Sequence, residues 1–305
     1  MREPLLGVAV GRKGVGKSFT TNKLIEQYVV GNLASGILPR KALILDVNDE
    51  YEHIKGIAVK DLIRFSVHPH VEARRIRPFH PDGKKMRLDD LASTLNLVLE
   101  TFTGGLLLIE DINRFVSDMM PQDLMGAIAT NRHRDLDIIL HYQGIGRIGP
   151  KVWQNINWLR FHKITESAQR HQRKYEDKYE LIRITELMVN KEFFQGNDRF
   201  YQYVDCENMR LMGQVDLDKF EEACKQYLEE NYRKTITPLL QIRSEGNKKK
   251  WTHESAMKHE LERLKKIALW VLGIIVLGVI ILIIASPYKH HSDDFRTVEA
   301  SITIN

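Results

Sequence analysis

The sequence predicts an α/β fold in which helices cover both faces of a parallel sheet. Short apolar runs that end in polar residues recur along the chain, at residues 5–10, 42–45, 106–109 and 138–142. Runs of this kind are typical of strands that are buried on both faces. The first run is followed by a segment with helical spacing, so the pattern indicates strands that alternate with helices around one large core.

The first predicted strand leads into a glycine-rich loop within VAVGRKGVGKSFT, residues 8–20. Gly11, Gly16, Lys17 and Ser18 fit G-x-x-x-x-G-K-[ST], the P-loop or Walker A pattern. In such a loop the backbone N–H groups and the following helix N-terminus bind phosphate, Lys17 reaches the β- and γ-phosphates, and Ser18 binds Mg²⁺. The predicted ATP-binding residues are contiguous: Gly11, Arg12, Lys13, Gly14, Val15, Gly16, Lys17, Ser18 and Phe19.

The segment after the loop, SFTTNKLIEQYVV, predicts a helix. Leu24, Tyr28 and Val29 are spaced along one helical face. A strand before the loop and a helix after it are the context that a P-loop requires, whereas a chance glycine-rich turn requires neither.

The apolar run of residues 106–109 predicts a strand that delivers Glu110 and Asp111 at its carboxyl end. Ligands collect at that end of open α/β sheets, so this is a Walker B position. The usual order is Asp followed by Glu, and here it is reversed. Glu110 is therefore predicted to bind Mg²⁺ and Asp111 to polarise the attacking water. Because the order of the two residues is reversed, the assignment of these two roles between them stays open. The plain alternative is a solvated acidic pair at an ordinary strand end.

Two more predicted strands carry polar residues at their ends. Residues 42–45 lead into DVNDEYEHI, which contains Asp46, Glu50 and Tyr51. Residues 138–142 end at Gln143 and follow the basic run NRHRD.

In these motifs and their order, the chain resembles the FtsK–HerA superfamily of DNA-pumping ATPases. The second strand of that superfamily characteristically ends in an Asp-x-x-x-Glu-Tyr-like run, and the strand after Walker B ends in a sensor glutamine. The runs NRHRDLDIILHYQG and IGPKVWQNINWLRFHKI look most like the zonula occludens toxin family, the assembly ATPases of filamentous phages. The resemblance covers about residues 5–205.

The resemblance implies a RecA-like P-loop NTPase that forms a homo-oligomeric ring and hydrolyses ATP with Mg²⁺ at subunit interfaces. It implies that Gln143 reads the γ-phosphate or its water, and that an arginine before the sensor strand reaches a neighbour's nucleotide. Arg132 is the first choice for this arginine finger and Arg134 the second, since the role needs a planar, permanently charged group. The alternatives are a satisfied polar strand end for Gln143 and a solvated or ion-paired surface position for the arginines.

Composition agrees with an intracellular protein. Lys plus Arg number 45 and Asp plus Glu 40, a net charge of +5 that is compatible with nucleic acid or an anionic membrane surface. The two cysteines, Cys206 and Cys224, form neither a disulfide framework nor a metal-ligand pattern, so reduced thiols are expected. The P-loop strand begins almost at once, which argues against a signal peptide.

Residues 267–285 are uncharged and long enough to span a bilayer. Trp270 and Tyr288 lie at the expected interfacial positions. Basic residues are concentrated on the amino-terminal side, at Lys248, Lys249, Lys250, Lys258, Arg263, Lys265 and Lys266. The positive-inside rule then predicts a single-pass protein of the host inner membrane or a virion membrane, with its ATPase domain in the cytoplasm.

The predicted organisation has five parts: an ATPase core at 1–205, a helical extension at 206–240, a basic linker and juxtamembrane helix at 241–266, a transmembrane helix at 267–285, and an external tail at 286–305. The basic cluster of the linker is a candidate to bind acidic lipid headgroups, or is a solvated hinge.

The expected function is a membrane-anchored ring ATPase that moves DNA during phage or virus assembly, extrusion or genome packaging, with coat or capsid proteins as further partners. The short tail weakens a role in docking an outer-membrane channel, because a filamentous-phage relative carries a substantial domain there. One alternative is the packaging ATPase of a membrane-containing virus. Another is a membrane-bound, ATP-dependent switch or scaffold that moves no DNA.

Overall fold

The computed structural model describes residues 4–112, 126, 134–213, 215–241 and 251–268. The strands in this part of the chain are β1 (Leu6–Val10), β2 (Lys41–Leu45), β3 (Ala73–Ile76), β4 (Gly105–Ile109), β5 (Asp137–Tyr142), β6 (Trp158–His162), β7 (Tyr201–Asp205) and β8 (Arg210–Met212). The helices are α1 (Lys17–Val30), α2 (Leu62–Val67), α3 (Leu88–Thr101), α4 (Pro150–Asn155), α5 (Tyr179–Phe194), α6 (Leu217–Glu230), α7 (Tyr232–Gln241) and α8 (His253–Ala268).

The strands form one sheet in the order β3-β2-β4-β5-β1-β6-β7-β8. In this spatial order, every neighbouring pair of strands between β3 and β6 is parallel. Strands β7 and β8 are added at one edge by antiparallel pairing. The four predicted strands are all present and wholly buried. The predicted parallel sheet is therefore confirmed as the main part of a mixed sheet.

Alternate residues of the buried strands belong to two separate apolar cores, one on each face of the sheet. On β2, Leu43 and Leu45 pack in one core, and Ala42 and Ile44 in the other. Helix α1 covers the second face, while α3 and α5 contribute to the first. Burial on both faces explains why these strands contain almost continuous apolar runs.

Two segments are each divided into more than one element. The charged stretch of residues 167–190 begins with 3₁₀ turns at Ala168–Lys174 and Glu176–Lys178 before α5 starts. His171 has non-helical backbone angles, which interrupts the helix. The stretch of residues 198–211 contains most of the β7–β8 hairpin, in whose turn the Asp205 carboxylate accepts the backbone N–H groups of Glu207 and Asn208. The sheet therefore continues past residue 205.

Helix α8 is packed onto the domain that precedes it. Ala256 and Leu264 are buried, and the Arg263 guanidinium donates two hydrogen bonds of 3.0 and 2.9 Å to Glu180 on α5. Lys265 forms an ion pair of 2.7 Å with Glu221 on α6. These contacts hold the predicted juxtamembrane helix against the rest of the domain.

The predicted membrane span begins at the last two residues of α8, and from residue 269 onward it lies outside the described residues. The lysine cluster at 248–250 also lies outside them. Within the described ranges, no helix has the length and apolar character needed to cross a membrane.

Candidate nucleotide-binding site

The candidate site lies where β1, β2, β4 and β5 end. Since these strands are parallel, their carboxyl ends meet at one edge of the sheet. A cavity of about 740 Å³ at this edge is lined by Lys17 and Ser18 of the P-loop, by Glu110 and Asp111 after β4, and by Gln143 after β5. The structure thus brings together the predicted site residues of three separate sequence motifs. The volume of the cavity falls in the range of cofactor pockets.

The P-loop conformation depends on its glycines. Gly14 and Gly16 have φ angles of 87° and 84°, in the left-handed region that favours glycine. A Cβ atom on Gly11 would lie 2.6 Å from Cβ of His162 on β6, so only glycine lets the loop approach that strand. Helix α1 starts at Lys17, which places its amino terminus and its positive potential at the cavity.

Lys17 lies in the wall of the cavity. Its Nζ donates hydrogen bonds of 2.6 and 3.0 Å to the carbonyls of Gly11 and Arg12. Burial lowers the pKa of Lys17, although the nearby carboxylates, first among them Glu110, oppose this. A cation, a helix amino terminus, the Ser18 hydroxyl and several carboxylates in one cavity fit a nucleoside triphosphate with its Mg²⁺.

The two Walker B carboxylates have different surroundings. Glu110 is buried, and its Oε2 accepts a hydrogen bond of 3.0 Å from the Tyr51 hydroxyl and lies 2.6 Å from Nδ1 of His141. Burial alone would raise the pKa of Glu110, but His141, Tyr51 and Lys17 outweigh it and hold the pKa below its ordinary value. An ionised carboxylate in this position is suited to bind a cation.

Asp111 is instead joined to the predicted sensor residue. Its Oδ2 accepts a hydrogen bond of 2.9 Å from Nε2 of Gln143, and its φ angle is +45°. A non-glycine residue in this region is uncommon and is found preferentially at functional sites. The arrangement makes Asp111 and Gln143 one polar unit beside the cavity.

Glu50 is a site residue that the sequence motifs did not predict. The Ser18 hydroxyl donates a hydrogen bond of 2.8 Å to Oε2 of Glu50. The two oxygens of Asp46 accept the backbone N–H groups of Glu50 and Tyr51 at 2.9 and 3.0 Å, and Arg75 pairs with Asp46 at 2.8 Å. The Asp-x-x-x-Glu-Tyr-like run is therefore a turn that presents Glu50 and Tyr51 to the site, and its four-residue spacing was the signal that could have found them.

The sequence motifs also failed to predict three residues at or near the cavity: His141, Arg160 and Arg199. His141 and Arg160 are polar residues inside the apolar runs of β5 and β6, and this was the available signal. Arg199 lines the cavity together with Phe19, whose ring centroid lies 5.7 Å from the guanidinium carbon. No local pattern marks Arg199, because it comes from a loop far along the chain.

Arg132, the first choice for the arginine finger, lies outside the described residues. Arg134 immediately precedes β5, and its carbonyl accepts the N–H of Gly104 just before β4. This is the amino-terminal edge of the parallel strands, opposite the cavity. Arg134 therefore has no part in the cavity of its own subunit.

The parallel sheet, the P-loop and the strand-end carboxylates define a P-loop NTPase. No family model matches the chain, and no curated protein matches it. Similar solved structures include the genome packaging NTPase of Sulfolobus turreted icosahedral virus 2 in complex with AMP, at 19% identity and a TM-score of 0.46, covering 70% of this chain and 99% of that one.

Two further solved structures are similar to the chain. The N-terminal domain of zonular occludens toxin from Neisseria meningitidis has 11% identity and a TM-score of 0.30, covering 52% of this chain and 76% of that one. ATPases 2 and 3 of EssC from Geobacillus thermodenitrificans have 13% identity and a TM-score of 0.34, covering 88% of this chain and 45% of that one. The class of the protein is defined by its own P-loop and strand ends.

The surroundings of the two carboxylates lead to opposite expectations for their amide variants. We expect Asp111→Asn to bind ATP normally but to hydrolyse it about a hundredfold more slowly, because a water-polarising base is lost. Glu110→Gln should instead require more Mg²⁺ for half-maximal turnover, since a charged metal ligand is lost. Turnover and nucleotide binding are each measured for the two variants as the Mg²⁺ concentration is increased. The reverse pattern would exchange the two roles.

Proposed function

We propose that this protein is a membrane-anchored, ring-forming ATPase that couples ATP hydrolysis to DNA translocation during phage or virus assembly. The observation that carries the ATPase part is the meeting of the P-loop, Glu110, Asp111 and Gln143 at one cavity. Movement of DNA is supported by the order of these motifs, which is that of a superfamily of DNA-pumping ATPases.

In this proposal Lys17 contacts the β- and γ-phosphates, and Ser18 and Glu110 bind Mg²⁺. Asp111 polarises the attacking water. Gln143 is hydrogen-bonded to Asp111, so a change in the γ-phosphate that moves Gln143 also moves the carboxylate beside the water. Glu50 holds the Ser18 hydroxyl and adds negative charge on the metal side of the cavity. Arg132 would complete the site from a neighbouring subunit.

DNA should stimulate the ATPase in a salt-dependent manner. Contacts to the phosphate backbone release counterions, so the stimulation should fall steeply between about 50 and 200 mM salt. Turnover is measured with single- and double-stranded DNA across this range, with Lys17→Ala as the background control. Turnover that is unchanged by either form of DNA at low salt would favour the ATP-dependent switch or scaffold.

Extrusion and packaging are two forms of the same proposal. Genes that encode a small helical coat protein and a secretin beside this one would indicate extrusion. A neighbouring gene for a jelly-roll capsid protein would indicate packaging at a virion membrane.

Membrane anchoring is tested by removing residues 269–305, which keeps all of α8. Because α8 is packed onto α5 and α6, the shortened protein should fold, remain in the soluble fraction and keep its basal ATPase activity. The full-length protein should sediment with membranes, and a protease added outside intact cells should reach only the tail. Full-length protein in the soluble fraction would contradict the anchor.

A further inference from the structure

A buried chain of polar side chains connects β6, α1 and β5 to Glu110. Its members are Arg160 on β6, Thr21 on α1 and His141 on β5, each no more than 1% exposed. Buried polar groups of this kind are costly unless they are satisfied, so their arrangement has a strongly preferred geometry. None of them belongs to the P-loop or the Walker B motif.

The direction of the hydrogen bonds follows from the chemistry of the partners. Nη2 of Arg160 donates to Oγ1 of Thr21 and, at 3.1 Å, to the carbonyl of Lys17. Arginine can only donate, so the Thr21 oxygen is the acceptor and its single proton is free for His141 Nε2, which lies 2.8 Å away. His141 therefore accepts at Nε2, and a neutral ring carries its proton on Nδ1.

The Nδ1 atom of His141 faces Glu110. It lies 2.6 Å from Oε2, off the line of a straight hydrogen bond, and has no other hydrogen-bond partner within the described part of the chain. The Tyr51 hydroxyl reaches the same oxygen. Both groups approach the same oxygen, Oε2, and Glu110 lines the cavity.

We propose that His141 is a positioning residue that orients Glu110 and couples this orientation to α1 through Thr21. Lys17 and Ser18 begin the same helix, and Thr21 follows them by one turn. A shift of α1 on nucleotide binding is thereby transmitted to the carboxylate proposed to bind Mg²⁺. The inference rests on the proposed ATPase function.

Two amide variants of the full-length protein separate the contacts of His141. His141→Asn places an amide near the position of Nδ1 and keeps the contact with Glu110. His141→Gln places its amide near the position of Nε2 and keeps only the contact with Thr21. We expect His141→Gln to lower kcat by about tenfold to a hundredfold with ATP affinity unchanged, and His141→Asn to stay within about threefold of wild type.

Thr21 offers a second, matched pair. Thr21→Ser keeps the hydroxyl and should retain wild-type turnover, whereas Thr21→Val removes it and should lower kcat by about twofold to threefold, as His141→Asn does, because both variants lose the same hydrogen bond. Thermal unfolding of all four variants shows whether the effect is structural. Equal kcat in the two His141 variants, equal kcat in the two Thr21 variants, or losses that follow the melting temperature would each overturn the proposal.

Nucleotide binding provides a readout that is independent of turnover. A fluorescent ATP analogue is titrated at increasing Mn²⁺, and His141→Gln should require more Mn²⁺ for the same affinity while His141→Asn should not. The affinity for the ATP analogue in the absence of metal should be equal in the two His141 variants. A wild-type protein that binds the analogue but does not hydrolyse ATP would contradict the proposed function, and the Mn²⁺ shift would still decide the role of His141.

Discussion

Lys17→Ala is expected to abolish ATP hydrolysis while the protein remains folded. Lys17 supplies the side-chain charge that the P-loop motif directs at the β- and γ-phosphates, and such a group stabilises charge that develops in the transition state. We expect turnover to fall on the order of a thousandfold or more. The fold should survive, because Lys17 donates only to two loop carbonyls, and the N–H groups of Gly11 and Arg12 keep their own bonds to Tyr142 and Lys163.

Turnover, nucleotide affinity and thermal unfolding are measured together for this variant. Lys60→Ala removes an exposed lysine that does not line the cavity, and should behave as wild type. Lys17→Arg keeps the positive charge in a larger, planar group, and tests whether turnover also depends on the shape of the side chain at this position. Turnover near the wild-type level in Lys17→Ala would refute the site.

Arg132→Ala is expected to keep ATP affinity within about a few fold and to lose on the order of a thousandfold in turnover, as for a finger that acts on transition-state charge. Arg132 lies between the Walker B strand and β5 in the sequence, where the resemblance places an arginine that acts on a neighbouring subunit. Arg134 provides a matched control, because it lies two residues away and its carbonyl is bonded at the edge of the sheet opposite the cavity.

Mixing Arg132→Ala with Lys17→Ala distinguishes action between subunits from action within one. In mixed rings, an intact P-loop of one variant can use the arginine of the other, so part of the activity should return. No recovery, with mixed assembly verified, would indicate an arginine that acts in its own subunit. A loss of turnover in Arg134→Ala with none in Arg132→Ala would assign the finger to Arg134.

The parts of the site that the sequence predicted are those encoded within short segments. A P-loop requires particular backbone angles over a few consecutive residues, and only glycine adopts them readily, so Gly14 and Gly16 can be recognised in isolation. The strand ends at Glu110 and Gln143 could be read in the same way, because an apolar run followed by a polar residue marks where a buried strand reaches the surface. Glu50 is an intermediate case, since its turn was visible but its contact with Ser18 was not.

The sequence by itself determined the P-loop, the buried strands and the polar residues at their ends, because each depends on local backbone geometry or on the periodicity of one element. The tertiary structure alone decided that β5 lies between β1 and β4, which brings Gln143 to Asp111. It also decided the chain of Arg160, Thr21 and His141, in which hydrogen-bonded partners are 139 and 120 residues apart. Such contacts follow from the order in which the strands pair, and this order is governed by packing across the whole sheet. The local sequence pattern around each residue therefore does not identify its partner.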